Sequence, residues 1–324
     1  MSNEKLTIAV PSKGRLQENA MAFFSRAGLV LERPRGVRDY RGTIAGLPDV
    51  EILFLSASEI VSQLATGSAH FGVTGEDLVR EQLPDADNLV EMISPLGFGH
   101  ANVVVAVPQA WIDVRNMADL DEVASDIKSR HGQKLRVATK YVNLTGRFFA
   151  ENSLNDYRIV ESLGATEGAP ASGTAEIIVD ITTTGATLSA NALKILDDGI
   201  ILRSEANLVA SLKANWNTRA RSVAKQVLTR IAAEEEARRN REICAIYDPQ
   251  KRMEVSRAIG RFKVILPFGQ MNDNITLHCS QADVFPIVDV LQNLGCRDVT
   301  VRGFDYIFRT ENSLLNRLLA RIGL

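Results

Sequence analysis

Through the first two-thirds of the chain, short apolar runs alternate with longer segments of helical periodicity, and this alternation restricts the fold more than any other feature. LTIAV (6–10) leads through the breaker-rich PSKGR into Leu16, Ala20, Phe23, Phe24 and Ala27, one face of an amphipathic helix closed at Gly28. VEILFL (50–55), SASEIVSQLATG (56–67) and AHFGVTG (69–75) continue as strand, helix and strand. Such a succession points to a parallel sheet with helices on both faces.

A second unit of the same kind starts near residue 100. ANVVVAVP (101–108), LRVATKY (135–141), YRIVES (157–162) and EIIVDI (176–181) read as strands, with helices expected within 113–134 and over 145–154. TLSANALKIL (187–196) reads as a helix leading to GIILRSEANLVAS (199–211), which places the return to the first sheet near residues 190–200. From about residue 219 the composition shifts: residues 219 to 263 hold twelve Lys/Arg against six acids. No aromatic interleaves them before Tyr247, so a stacking platform for nucleic acid is missing and a solvated helix face is the simpler reading. Segments 242–248, 250–260, 263–268, 274–279, 282–295 and 298–304 then follow the order β-α-β-β-α-β, a ferredoxin-like module, and 305–324 reads as an extra helix. The expected domains are 1–100 with 195–221, 101–194, and 222–324.

Composition excludes several partners. Lys+Arg 37 against Asp+Glu 39 gives a net charge of -2, so neither nucleic acid nor an anionic membrane is attracted globally. Cys244, Cys279 and Cys296 show no close-spaced pair, which disfavours a disulfide framework or zinc site. The four histidines, including His100 and His278, are too scattered for a metal triad; His278 and Cys279 read as core. The polar start and the lack of any apolar run near the roughly 20 residues of a membrane span give a cytoplasmic expectation.

The sharpest chemistry lies in EGAPASGTAEIIVDITTTGATL (167–188). A buried strand is expected to end at Asp180, where open α/β sheets bind ligands. Thr182, Thr183, Thr184, Gly185, Ala186 and Thr187 then place amides and hydroxyls at a helix start, which favours an anion. Gly185 is expected in a tight turn that a side chain would crowd. The other reading is a threonine-rich turn capping an ordinary helix. There is no GK[ST] and no GxGxxG in the segment, which disfavours a kinase or a dinucleotide-binding dehydrogenase. Lys13, Gly14 and Arg15 lie between the first strand and helix and suit a polyphosphate clamp. Lys140 ends a strand and either neutralises phosphate or stands at the surface. Glu76 and Asp77 either favour the N-terminus of their helix or contact a ligand. No Ser-His-Asp or Cys-His arrangement is evident, and no catalytic base is named.

These residues resemble a known family. Glu167, Gly173, Ala175, Ile178, Asp180-Ile181, Thr184-Gly185, Thr187-Leu188 have the spacing of the ATP phosphoribosyltransferase signature, and VPSKGRL (10–16), VTGEDLV (73–79) and ATKYVNLTGRFFAE (138–151) agree with it. The resemblance spans about residues 5 to 212. Val142 stands where the family has a proline after Lys-Tyr, and Ala101-Asn102 where it has a Cys-Arg pair. The resemblance implies two periplasmic-binding-protein-like α/β lobes with a ferredoxin-like (ACT-like) regulatory domain, and transfer of phosphoribosyl from phosphoribosyl pyrophosphate to N1 of ATP. It implies that Asp180, Thr182, Thr183, Thr184, Gly185, Ala186, Thr187, Lys13 and Arg15 hold phosphoribosyl pyrophosphate. Gly14, Glu76, Asp77 and Lys140 would face ATP, and Glu167 and Asp180 would hold Mg²⁺. Inhibition by histidine and assembly of dimers into hexamers are further implications. The rival class is a non-enzymatic solute-binding protein, which has no reason to carry the Asp180–Thr187 loop.

Overall fold

The computed structural model describes residues 5–33, 40–162, 164–269 and 273–323, whose strands form three sheets. The chain opens with β1 (Leu6–Pro11), α1 (Gly14–Arg26), β2 (Leu31–Glu32), β3 (Arg41–Ile44), β4 (Leu47–Leu55), α2 (Ala57–Thr66), β5 (Phe71–Gly75), α3 (Glu76–Gln82), α4 (Ala86–Leu89) and β6 (Val90–Pro95). It crosses to β7 (Asn102–Pro108), α5 (Met117–His131), β8 (Leu135–Thr139), α6 (Val142–Glu151), β9 (Tyr157–Glu161), β10 (Ile177–Thr182), α7 (Ala186–Ala190) and β11 (Leu193–Leu202), and returns as β12 (Ala206–Ser211). The first sheet runs β2-β3-β4-β1-β5-β12-β6 and the second β11-β7-β10-β8-β9.

Local chemistry accounts for the elements. α2 starts in a capping box, the Glu59 N–H donating to Ser56 Oγ while the Ser56 N–H donates to Glu59 Oε2, and ends at Gly67 with φ 78°. Leu6, Ile8, Ala9 and Val10 are buried, because β1 lies between β4 and β5, both parallel to it.

The sheets are mixed, not all-parallel. β2, β3 and β4, consecutive among the described elements, pair antiparallel. β12 arrives from the second sheet and pairs antiparallel with β5 and β6. Residues 187–196 do not form one helix either. α7 ends at Ala190, and β11 carries the chain along β7 as far as Leu202, so the return to the first sheet comes at Ala206 and not near 190–200. The break falls at Asn191 and Ala192, where Ala192 takes φ 55° between α7 and β11 with no glycine or proline to mark the turn. Ile195 and Ile200 face one core layer and Leu196 and Leu202 the other.

By internal contacts the chain divides into two compact units. The first comprises Met1–Phe23, Leu31–Arg221 and Leu318–Leu324, and so holds both sheets described above. The second comprises Phe24–Val30 and Ser222–Arg317. α8 (Thr218–Arg239) runs into it, followed by β13 (Asn240–Ile246), α9 (Arg252–Ile259), β14 (Asn274–Ser280), α10 (Val284–Asn293), β15 (Arg297–Arg302) and α11 (Ser313–Arg321). The third sheet runs β14-β13-β15, all antiparallel. The strand expected over 263–268 is reduced to one antiparallel bridge, Ile265 to His278. That bridge still gives the ferredoxin-like order 2-3-1-4. Arg238 and Arg239 pair with Glu234 and Glu235 one turn earlier, so part of the basic stretch is neutralised on its own helix face. His278 and Cys279 are buried in β14, as expected. No described helix is long and apolar enough to cross a membrane.

Candidate active site

β10 brings the threonine loop to the carboxyl edge of the second sheet. Ile177, Ile178 and Val179 are fully buried, but the strand does not stop at Asp180: its pairing with β7 continues to Thr182 opposite Asn102. Gly185 sits at φ 77° as the residue before α7. A Cβ there would meet nothing closer than Ile195 Cδ1 at 4.0 Å, so the turn is not crowded. What demands glycine is the left-handed backbone. The Gly185 N–H donates to Thr182 Oγ1 at 2.8 Å, and the Ala186 N–H to Thr184 Oγ1 at 3.4 Å. Thr183 Oγ1 donates to the His100 carbonyl at 2.9 Å, while the Thr183, Thr184 and Thr187 side chains are exposed.

This loop lines a cavity of about 370 Å³ together with Ala101, Glu167 and Asp180, within the size range of small-ligand sites. Glu167 comes from the single turn Thr166–Gly168. Burial pushes the Asp180 carboxyl above the ordinary carboxylate range. The Ile181 N–H, bonded to Asp180 Oδ1 at 2.8 Å, and the Lys140 charge oppose the rise, and Glu167 adds to it. The charges of Lys140 and Glu167 thus both act on Asp180. Two half-buried carboxylates lining one cavity suit a divalent cation that arrives on a substrate phosphate. Among the described residues no group of three or more His, Cys, Asp or Glu forms a complete cage for an ion, so substrate oxygens would have to complete the coordination.

The first sheet contributes a second edge. β1 and β5 are adjacent and parallel, which puts Lys13, Gly14 and Arg15 beside Glu76 at their carboxyl ends. Lys13, Gly14 and Arg15 are exposed, with Gly14 at φ 72°; none of them lines the loop cavity. Glu76 is half-buried and accepts from Arg80 Nε at 3.3 Å.

Asp77 departs from the expectation of a ligand contact. It is buried at 6% exposure, Oδ2 accepting from Tyr141 Oη at 2.8 Å and Oδ1 from Ser204 Oγ at 2.9 Å. A carboxylate used in this way ties protein to protein. Burial, then the neighbouring Asp77 charge, raises the Tyr141 phenol far above its usual range and keeps it a donor. Lys140 is exposed, its ammonium 5.1 Å from the Tyr141 ring centroid. Sequence reasoning passed over Tyr141, Glu81 and Ser204 as site-forming residues. The only available signal was the position of Tyr141 directly after Lys140.

The two sheets are joined by crossing segments: the Ala206 N–H donates to the Phe98 carbonyl at 2.9 Å, and the Ala101 N–H to the Ser204 carbonyl at 2.9 Å. Ala101, at the place of the Cys-Arg pair in the resemblance, thus lines the cavity and is anchored by its backbone.

Comparison with known proteins gives a consistent result. Residues 56–233, over half of the chain, match the family HisG, described as ATP phosphoribosyltransferase. The ATP phosphoribosyltransferase of Nitrobacter winogradskyi is 57% identical over 315 residues, covering 97% of each chain. That of Nitrobacter hamburgensis is 58% identical over 317 residues, covering 97% of this chain and 98% of its own. Among solved structures, the ATP phosphoribosyl transferase (HisG:HisZ) complex from Thermotoga maritima matches 70% of this chain and 98% of its own, with a TM-score of 0.52 at 24% identity. At that identity the likeness speaks for the fold.

Proposed function

The chain belongs to the ATP phosphoribosyltransferase family, and from that premise we propose how its cleft carries out the transfer and which residues do so. The reaction moves phosphoribosyl from phosphoribosyl pyrophosphate to N1 of ATP and releases pyrophosphate, the first step of histidine biosynthesis; the chain is a pentosyltransferase. Family membership removes the solute-binding alternative.

The observation that carries the site assignment is the cavity in which Glu167, Asp180 and the threonine loop converge. In the transfer, N1 of ATP forms a bond to the anomeric carbon as the bond to pyrophosphate breaks. Positive charge develops on the ribose and negative charge on the leaving group. Positioning and electrostatic stabilisation suffice, without a protein nucleophile. The loop Thr182–Thr187 holds the 5-phosphate, with the exposed Thr184 and Thr187 hydroxyls as donors. Because the Gly185 amide is already bonded to Thr182 Oγ1, it can reach a phosphate only if that hydroxyl gives way. Asp180 and Glu167 accept the ribose hydroxyls and would hold Mg²⁺, which would supply charge neutralisation at the pyrophosphate. Lys13 and Arg15 offer cations to the leaving group. Gly14, Glu76 and Lys140 border the ATP side, Lys140 as a point charge. Asp77 drops out of the ligand contacts.

The test is direct. Mixing ATP, phosphoribosyl pyrophosphate and Mg²⁺ with the protein and following ultraviolet absorbance should reveal phosphoribosyl-ATP. No product at any pH would refute the activity.

Regulation is part of the proposal. The ferredoxin-like order of the second unit supports a ligand-binding module, and the ligand proposed is histidine, which lowers turnover by favouring a less active state. A cut after residue 221 falls inside α8 and also removes Leu318–Leu324 from the first unit, so the intact chain is the proper material. Titration of histidine at subsaturating ATP should show inhibition and a heat of binding; absence of both leaves that unit without this role. Assembly of dimers into hexamers and a cytoplasmic location, where ATP and phosphoribosyl pyrophosphate are available, complete the reading.

A further inference from the structure

α6 begins without a cap of its own: Tyr141 precedes it and makes no side-chain capping bond. The cap comes from α3. Glu81 Oε1 accepts the Asn143 N–H and Oε2 the Leu144 N–H, each at 2.9 Å. A carboxylate is favoured at a helix N-terminus by the orphan amides and the macrodipole. Asn143 Nδ2 and Arg147 Nη2 donate back to the carbonyls of Glu81 and Arg80 at 2.8 and 2.6 Å. One turn earlier on the same face of α3, Asp77 accepts from Tyr141 Oη and Ser204 Oγ, and Ser204 Oγ accepts the Asp77 N–H at 3.0 Å.

Two acids of α3 thus fasten one short segment of the second sheet, Tyr141 to Leu144. The residue just before it is Lys140, whose ammonium lies near the Tyr141 ring and whose charge acts on Asp180. β8, which delivers Lys140, pairs with β10, which delivers Asp180.

We propose that Asp77 and Glu81 are positioning residues, a clamp by which α3 sets the place of Lys140 beside Asp180. The clamp rests on the reading of Lys140 as a ligand-facing cation in the transfer. It explains why a buried aspartate and a tyrosine stand in a cleft whose chemistry uses neither directly. It also makes one wall of the cleft fixed, so any adjustment to substrate belongs to the loop side.

The clamp is tested by a double-mutant cycle on the full chain, comparing native protein, Tyr141→Phe, Lys140→Ala and the double variant by initial rates of phosphoribosyl-ATP formation, each with its Tm. Each single variant is expected to lose about tenfold or more in kcat, as small displacements of a reacting group do, while KM for phosphoribosyl pyrophosphate moves by less than about threefold. The double variant should be no more than about twofold slower than Lys140→Ala, because nothing remains to be positioned. Glu81→Gln, at a half-exposed site, should repeat the fall in kcat with little change in Tm. A double variant whose loss is the product of the two single losses overturns the clamp, as does a kcat that merely follows Tm. If Lys140→Ala leaves the rate intact while the native chain makes product, the clamp falls and the activity stands. If the native chain makes no product, both fall.

Discussion

Between Asp180 and Thr187 the chain leaves hydroxyls exposed to a cavity, while between α3 and Tyr141–Leu144 it buries Asp77 and Tyr141 and gives both Asp77 and Glu81 a donor on each carboxylate oxygen. The two regions follow neighbouring strands, Lys140 and Tyr141 after β8 and the loop after β10, which pair in parallel. One spends its polar groups on the ligand, the other on the protein. Removing a carboxylate should therefore have opposite consequences for stability in the two places.

The largest effect is expected at the joint. Asp77→Ala strips the partner from the buried Tyr141 hydroxyl and from Ser204, and unsatisfied buried groups cost about 1–3 kcal/mol each. A loss of about 3 kcal/mol in chemical denaturation is expected. A loss below about 1 kcal/mol would mean that the joint does not hold the sheets together.

Asp180→Asn sharpens the contrast. Turnover should fall about 100-fold, the scale seen when an electrostatic contact to a transition state is removed. If Asp180 only satisfies the Ile181 N–H, asparagine serves nearly as well and turnover survives. Stability should move the other way. Burial raises the Asp180 carboxyl in the folded chain, so the folded state holds its proton more tightly than the unfolded one. The ionised carboxylate then opposes folding once the pH exceeds the raised value, and the penalty vanishes below the ordinary carboxylate range. At neutral pH Asp180→Asn should accordingly raise Tm while lowering kcat, the trade expected of a functional group held at a cost.

A smaller effect is expected at Gly185, where the site differs from its reading in the sequence. A crowded turn would penalise valine far more than alanine. The space around the missing Cβ is open, and the requirement is φ 77°. Alanine should then already weaken phosphoribosyl pyrophosphate binding by a factor of about 10, from a left-handed penalty of roughly 1–2 kcal/mol, and β-branched valine by somewhat more. Asparagine, which tolerates that backbone, should cost less. Calorimetric titration distinguishes the cases, and alanine binding as tightly as glycine would refute the backbone argument.

How much of this was legible before the structure depends on the kind of signal. Between Leu6 and Glu161, β1, α1, β4, α2, β5, β7, β8, α6 and β9 were read from periodicity, whereas the short elements β2, β3, α4 and β6 were not. The 187–196 stretch misled because the break between α7 and β11 falls at Ala192, a non-glycine residue at φ 55°, so no glycine or proline marks it. The loop was legible because Thr182 to Thr187 and Asp180 are contiguous, so their chemistry appears as a motif. The clamp was not. Asp77 and Tyr141 are 64 positions apart and Asp77 and Ser204 are 127 apart, and no local pattern links a tyrosine to an acid at such a distance. The Asp77 carboxylate looked like a ligand contact because its sequence neighbours, Gly75 and Glu76, open a strand-to-helix turn; only burial distinguishes it from Glu76.

The smallest expected effect tests whether the joint is already at its best. Val142 is the first residue of α6 and is exposed at 39%, in the place where the family resemblance has proline. Proline suits that position: its fixed φ is pre-set for a helix and its missing N–H is one that the helix leaves unpaired. The amides that Glu81 holds belong to Asn143 and Leu144 and are untouched by the change. Tyr141, at φ -96° and ψ 63°, lies outside the helical region that a following proline forbids. Val142→Pro should therefore stabilise the chain by about 0.5 kcal/mol, chiefly by restricting the unfolded state, with kcat unchanged. A fall in Tm together with a fall in kcat would mean that proline shifts Tyr141 off Asp77, and that the clamp tolerates less displacement than its buried hydrogen bonds suggest.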